Sequence, residues 1–141
     1  MSDGKFEKVS RSEKALYGPR KLILCGFAAG MQANFLKILE FTGLPDLDLV
    51  WAAEERADEA IGDIMELPAG TGAGTDSALP RAIVVAGISE SSLHNLMNTC
   101  RASGMKPALW AGLTPVSEKW TLRQLVTELE AERTALQEKS Q

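Results

Sequence analysis

A chain of 141 residues with a net charge of -4, 45% apolar and 24% charged, has the size and composition of one globular domain rather than a collagen, a coiled coil or a disordered tract. No apolar run approaches the roughly 20 residues that cross a bilayer, and the polar start, Met1 to Ser10, lacks the apolar stretch of a secretory signal. A cytoplasmic protein with no membrane partner is expected, and nucleic acid is a poor one because six Lys/Arg against three Asp/Glu in residues 1–21 leave the remainder at -7.

Met1 to Gly18 reads as a flexible N-terminal arm, its cations Lys5, Lys8, Arg11 and Lys14 diluted by Asp3, Glu7 and Glu13. A single domain over residues 19–138 follows. Leu22 to Gly26 (LILCG) is a short apolar run, read as a buried strand. Met31 to Phe41 has Met31, Phe35, Ile38 and Leu39 at helical spacing, and Thr42, Gly43 and Leu44 close it. Leu47 to Ala52 gives a second strand, and Ala57, Ala60, Ile61, Ile64 and Met65 give an amphipathic helix. Residues 68–80 (PAGTGAGTDSALP) read as a flexible linker. They separate half one, residues 20–67, from half two, residues 81–138.

Half two repeats the plan. Ile83 to Gly87 (IVVAG) matches the first run, with Gly87 and Gly104 each 61 positions after Gly26 and Gly43. Leu93 to Ala102 is its helix and Ala108 to Gly112 its second strand, where Trp110 follows Trp51 by 59 positions, as a two-residue deletion gives. Leu122, Leu125 and Val126 align with Ile61, Ile64 and Met65 at 61 again. Two βαβα pseudo-repeats predict an α/β domain: one four-stranded, mainly parallel sheet in the order 2-1-3-4, with helices on both faces. The alternative is a ferredoxin-like α+β fold with an inserted helix.

Leu113 and Thr114 end the second strand of half two, and Trp120, Thr121 and Leu122 open the last helix, with Leu125 following. On those residues the passage over roughly 81–133 resembles a family of small bacterial proteins known as a domain of unknown function. The resemblance implies a strand-helix-strand neighbourhood and attaches no activity. Local physics reads the same residues structurally: Thr121 and Gln124 form a capping box, and Trp120 and Leu125 a hydrophobic staple.

Catalytic chemistry has little material. His94 is the only histidine, no nucleophilic triad can be named, and Cys25 and Cys100 lack metal-ligand spacing, so no metal and no cofactor is expected. In a doubly wound sheet, ligands sit beyond the carboxyl ends of the central strands. That rule nominates Gly26, Ala28 and Gly30 after the first strand, Gly87, Ser89 and Ser91 after the third, and Thr114 and Ser117 after the fourth, with a pocket bordered by Gly26, Ser89 and Thr114. The competing explanations are ordinary: Ser89 as an N-cap, the glycines for tight turns, Thr114-Pro115 for a turn. Gly70 to Thr75 mimics a phosphate cradle but follows a helix and precedes a strand, the wrong order for one. Leu122, Leu129 and Leu136 recur every seven residues and suggest a homodimer through the last helix. The leading expectation is a non-catalytic binding or interaction module; a small-anion or nucleotide-binding domain using the turns is the alternative, and a cysteine-dependent enzyme at Cys25 the second alternative.

Overall fold

A computed structural model of the chain describes residues 14–140. The polar segment 1–13, with most of the expected arm, lies outside the described residues. In chain order the elements are β1 (Lys21–Cys25), α1 (Gln32–Phe41), β2 (Asp48–Ala52), α2 (Ile61–Met65), β3 (Ala82–Ala86), α3 (Glu90–Ala102), β4 (Leu109–Gly112) and α4 (Leu122–Ser140). Single 3-10 turns at Ala29–Met31, Glu54–Arg56 and Ser117–Lys119 precede three of the helices. Element types and order follow the apolar periodicity, and boundaries move where side chains decide them. Helix α3 begins three residues before the expected Leu93 because Ser89 Oγ accepts the Ser92 N–H at 3.1 Å. Helix α2 shortens to one turn and a half, leaving Ala57 buried in the approach to it.

The four strands form one sheet in the order β2-β1-β3-β4. Each outer pair is parallel, as a β-α-β crossover requires, and the central pair β1-β3 is antiparallel. The ferredoxin-like alternative is thereby excluded, since it has no parallel β1-β2 pair. The register of the antiparallel centre is symmetric about its middle pair. Ile23 pairs with Val84, its counterpart 61 positions on, while Leu22 pairs with Val85 and Leu24 with Ile83. A two-fold axis therefore passes through the Ile23-Val84 pair. It recurs outside the sheet: Ala60 bridges Thr121, also 61 apart. Likewise the Leu16 N–H to Ile88 carbonyl bond (2.8 Å) is matched by Ser77 N–H to the Phe27 carbonyl (3.2 Å).

The outer strands keep the same offset, which corrects the expected deletion. Leu22 pairs with Leu49 and Ile83 with Trp110, so Trp110 occupies the place of Leu49, not of Trp51. The two tryptophans are one pleat period apart on the same face, and strand alternation makes that shift invisible to a hydrophobicity pattern.

Alternation along β1 and β3 sends their side chains into two cores. Leu22, Leu24, Ile83 and Val85 meet Phe35, Ile38 and Leu39 of α1 and Leu96 and Cys100 of α3. Ile23, Cys25, Val84 and Ala86 meet Ile61, Ile64 and Met65 of α2 and Leu122, Leu125 and Val126 of α4. Both central strands are buried along their whole length, so they read as unbroken apolar runs. On the first face Phe27, Phe35 and Trp51 pack edge to face, with ring centroids 5.4 to 6.2 Å apart.

The halves part company after their last helices. Helix α2 stops at Met65, and its terminal carbonyls need donors from outside the helix. Lys21 of β1, buried, supplies them: its Nζ donates to the Met65 carbonyl at 2.8 Å and to the Leu67 carbonyl. Helix α4 continues for 19 residues instead, and the position equivalent to Lys21 is Ala82. Having stopped, the first half folds residues 68–75 along the outer edge of β2. Gly70 N–H donates to the Leu49 carbonyl at 2.7 Å, and Trp51 N–H donates to the Thr71 carbonyl at 2.9 Å. The approach is so close that a Cβ on Gly72 (φ +80°) would lie 2.0 Å from the Trp51 carbonyl oxygen. A segment whose composition reads as a free connection is thus fastened to the sheet.

Candidate functional site

The antiparallel centre decides what the nominated residues can do together. The carboxyl ends of β1 and β3 point to opposite ends of the sheet, so Gly26, Ala28 and Gly30 lie at one end and Gly87, Ser89, Ser91, Thr114 and Ser117 at the other. No pocket bordered by Gly26, Ser89 and Thr114 forms. The rule that puts ligands beyond the strand ends assumes that neighbouring central strands run the same way, and here they do not.

At the β1 end two backbone donors of the turn are spent on side chains of the same chain. Gly26 N–H donates to Ser77 Oγ at 3.0 Å, and Ala29 N–H, opening the first helical turn, donates to Asp76 Oδ1 at 2.7 Å. A carboxylate therefore already occupies the anion position of this helix start, and it belongs to the chain. Buried Gln32 ties the same loop down, donating to the Thr75 carbonyl and accepting from Gly74 N–H. Gly26 itself (φ +78°) has no room for a side chain, since a Cβ would stand 2.5 Å from the Leu79 carbonyl oxygen. Ala28 and Gly30 do not contribute a side-chain bond; no atom lies within 4 Å of the Cβ position at Gly30.

Arg81 is the residue at this end that motif reading missed. Its Nε donates to the Gly26 carbonyl at 3.2 Å, its guanidinium lies 4.2 Å above the Phe27 ring, and Nη1 is buried without a hydrogen-bond partner among the described residues. Desolvation pushes its pKa below the usual arginine value. The available signal was the dipeptide Pro80-Arg81, which repeats Pro19-Arg20 at 61 positions.

At the β3 end the polar groups also satisfy one another. Ser89 Oγ takes the Ser92 N–H and lies 3.3 Å from Ser91 Oγ. Thr114 and Ser117 form a reciprocal box: Thr114 N–H donates to Ser117 Oγ at 3.0 Å and Ser117 N–H donates to Thr114 Oγ1 at 2.9 Å. Gly87 (φ +73°) packs against the backbone of Pro19 and Arg20. These residues act as caps and turns. The last helix starts likewise, with Thr121 N–H donating to Gln124 Oε1 at 3.0 Å and Gln124 N–H to Thr121 Oγ1 at 3.1 Å, the capping box its sequence spells.

Cys25 is fully buried in the second core, and burial pushes its thiol up to about 12. A thiol so protonated at neutral pH is a poor nucleophile. His94 lies exposed on α3. Among the described residues there is no group of three or more His, Cys, Asp or Glu side chains that could hold a metal, and no helix is long and apolar enough to cross a membrane. The seven-residue leucine spacing divides: Leu122 is wholly inside the chain's own core, Leu129 packs partly against it, and Leu136 is exposed. Leu122 is thus unavailable to a pairing seam.

Two adjoining clefts open on the α1/α3 side of the molecule, sharing Met105. One, of about 360 Å³, lies between the start of α1 and the end of α3, over Phe27, Met31, Phe35 and Ile38. The other, of about 310 Å³, lies between α3 and β4, over Met97, Cys100 and Trp110, with Arg101 and Lys106 on its rim.

No curated protein and no solved structure matches the chain. In the second half, residues 81–136, which carry β3, α3, β4 and most of α4, match the model of the family described as Domain of unknown function (DUF3783), in keeping with the resemblance to a domain-of-unknown-function family.

Proposed function

We propose that this protein is a non-catalytic interaction module that binds another polypeptide on its α1/α3 side. One observation carries the reading. The hydroxyls and several backbone donors at the strand ends are engaged inside the molecule, whereas the two clefts on the α1/α3 side are lined in large part by Met31, Met97, Met105, Phe27 and Trp110. Methionine adapts its shape to an apolar partner, and a surface built on it suits protein contact better than discrimination of a small polar substrate. Phe41, 82% exposed at the end of α1 and three positions after the cleft residue Ile38, is a further apolar side chain open to a partner. Acidic composition and internal caps leave little to attract a nucleotide, and the Asp76 carboxylate at the α1 start repels a phosphate there. A cytoplasmic location and descent of the two halves from one copied βαβα unit belong to this reading; the shared offset of 61 supports the second.

The test compares partners captured from a lysate by the wild-type chain, by Met105→Glu and by Phe41→Ser, with folding checked by circular dichroism. The reading expects a specific set of proteins retained by wild type and lost on Met105→Glu. An identical set for all three baits contradicts it. In parallel, millimolar phosphate, nucleotides and carboxylates are expected to leave the melting temperature unchanged.

A further inference from the structure

We infer that the outer edge of β4 is a docking edge for an extended peptide that carries acidic residues beside an apolar one. The inference rests on the polypeptide-binding reading above and names where the backbone of the partner lies. In the parallel β3-β4 pair, Leu109 and Leu113 donate inward, to the carbonyls of Arg81 and Val85. Alternation therefore turns the N–H and C=O groups of Trp110 and Gly112 outward. Among the described residues no hydrogen bond reaches them. The equivalent edge of β2 shows what such groups accept. There Leu49 and Trp51, which correspond to Trp110 and Gly112, bond to Gly70 and Thr71 of an extended segment of the same chain. In half two that segment is absent because α4 continues as helix through the corresponding positions. One molecule thus holds a filled edge and an open edge of the same register.

The surroundings select the occupant. An added strand runs past the cleft over Met97, Cys100 and Trp110, which receives an apolar side chain, and Arg101 and Lys106 on its rim are the charged residues among those lining it. Acidic neighbours on the peptide complement them. A second copy joined β4 to β4 brings two such cationic rims together, which disfavours it.

The experiment uses the full chain and two blocked synthetic heptapeptides of alternating Val and Thr around a central Leu, one with Asp and Glu at its ends and one with Lys and Arg. Binding is followed by the amide resonances of Trp110 and Gly112. The acidic peptide is expected to shift both and to bind at least about tenfold more tightly than the basic one. Gly112→Pro, which removes the outward N–H while leaving the inward bond of Leu113 to Val85 available, abolishes binding with the chain still folded by circular dichroism, whereas Gly112→Val, whose side chain enters open space, retains it. Reversing the rim with Arg101→Glu and Lys106→Glu exchanges the preference. Equal binding to wild type and Gly112→Pro overturns the edge assignment while leaving the cleft reading intact. Shifts that appear on raising protein concentration without peptide, or no binding of either peptide, overturn the proposal outright. The lysate comparison with Met105→Glu stands or falls independently.

Discussion

Gly26, Gly87 and Gly43 share a left-handed backbone, yet they differ in what surrounds them. A Cβ at Gly26 or Gly87 meets backbone at 2.5 Å, while at Gly43 it meets nothing within 4 Å. Gly43→Ala is expected to cost about 1 kcal/mol, the conformational term alone, and Gly26→Ala at least about 3 kcal/mol because the partner segment must move. Urea denaturation separates the two. Lys21 offers a second test at this scale: Lys21→Met keeps the apolar stem but leaves the Met65 and Leu67 carbonyls without their donor, for an expected loss of about 2 kcal/mol. Cys25 gives a pH signature. Folding raises its pKa from an ordinary 9 to about 12, so it favours the neutral thiol, and the stabilisation present below pH 9 is lost as pH rises toward about 12. The wild-type loss of stability between those values should exceed that of Cys25→Ala, and native Cys25 should resist a thiol reagent at neutral pH.

Among the elements, the capping residues were the most legible part of the sequence. Ser89, Thr121 with Gln124, Gly43 and Gly104 all act as their residue types dictate, because a cap is satisfied by neighbours within a few positions. Thr121→Ala is expected to cost about 1 kcal/mol by the same measure, with Gln124→Ala adding little once Thr121 is gone. The strands were legible as apolar runs, and the order β2-β1-β3-β4 is the one expected of the sequence. What the pattern could not give was polarity between halves. Nothing local in LILC or IVVA distinguishes a parallel from an antiparallel neighbour, so the pattern alone gathers the turns at Gly26 and Gly87 at one end of the sheet, whereas they occupy two. The role of residues 68–75 was hidden for a related reason: their glycines permit close approach to Trp51, and a composition rich in glycine reads the same whether the chain is free or pressed against a strand.

At the scale of the molecule, a near-symmetric sheet carries one asymmetric consequence. The two-fold relation through Ile23 and Val84 builds a closed centre and two comparable edges. Ending one terminal helix early and extending the other covers the first edge and leaves the second bare. Bare edges are normally short, as the four-residue β4 is, or flanked by charge and proline, as Lys106 and Pro107 flank it. Such features limit self-association without preventing a matched peptide from adding. The most direct measurement is amide hydrogen exchange, read residue by residue in the protein without peptide. The account predicts that Trp51 N–H, bonded to Thr71, is strongly protected while its counterpart Gly112 N–H exchanges at close to the rate of an open chain. Equal protection of the two amides would contradict it.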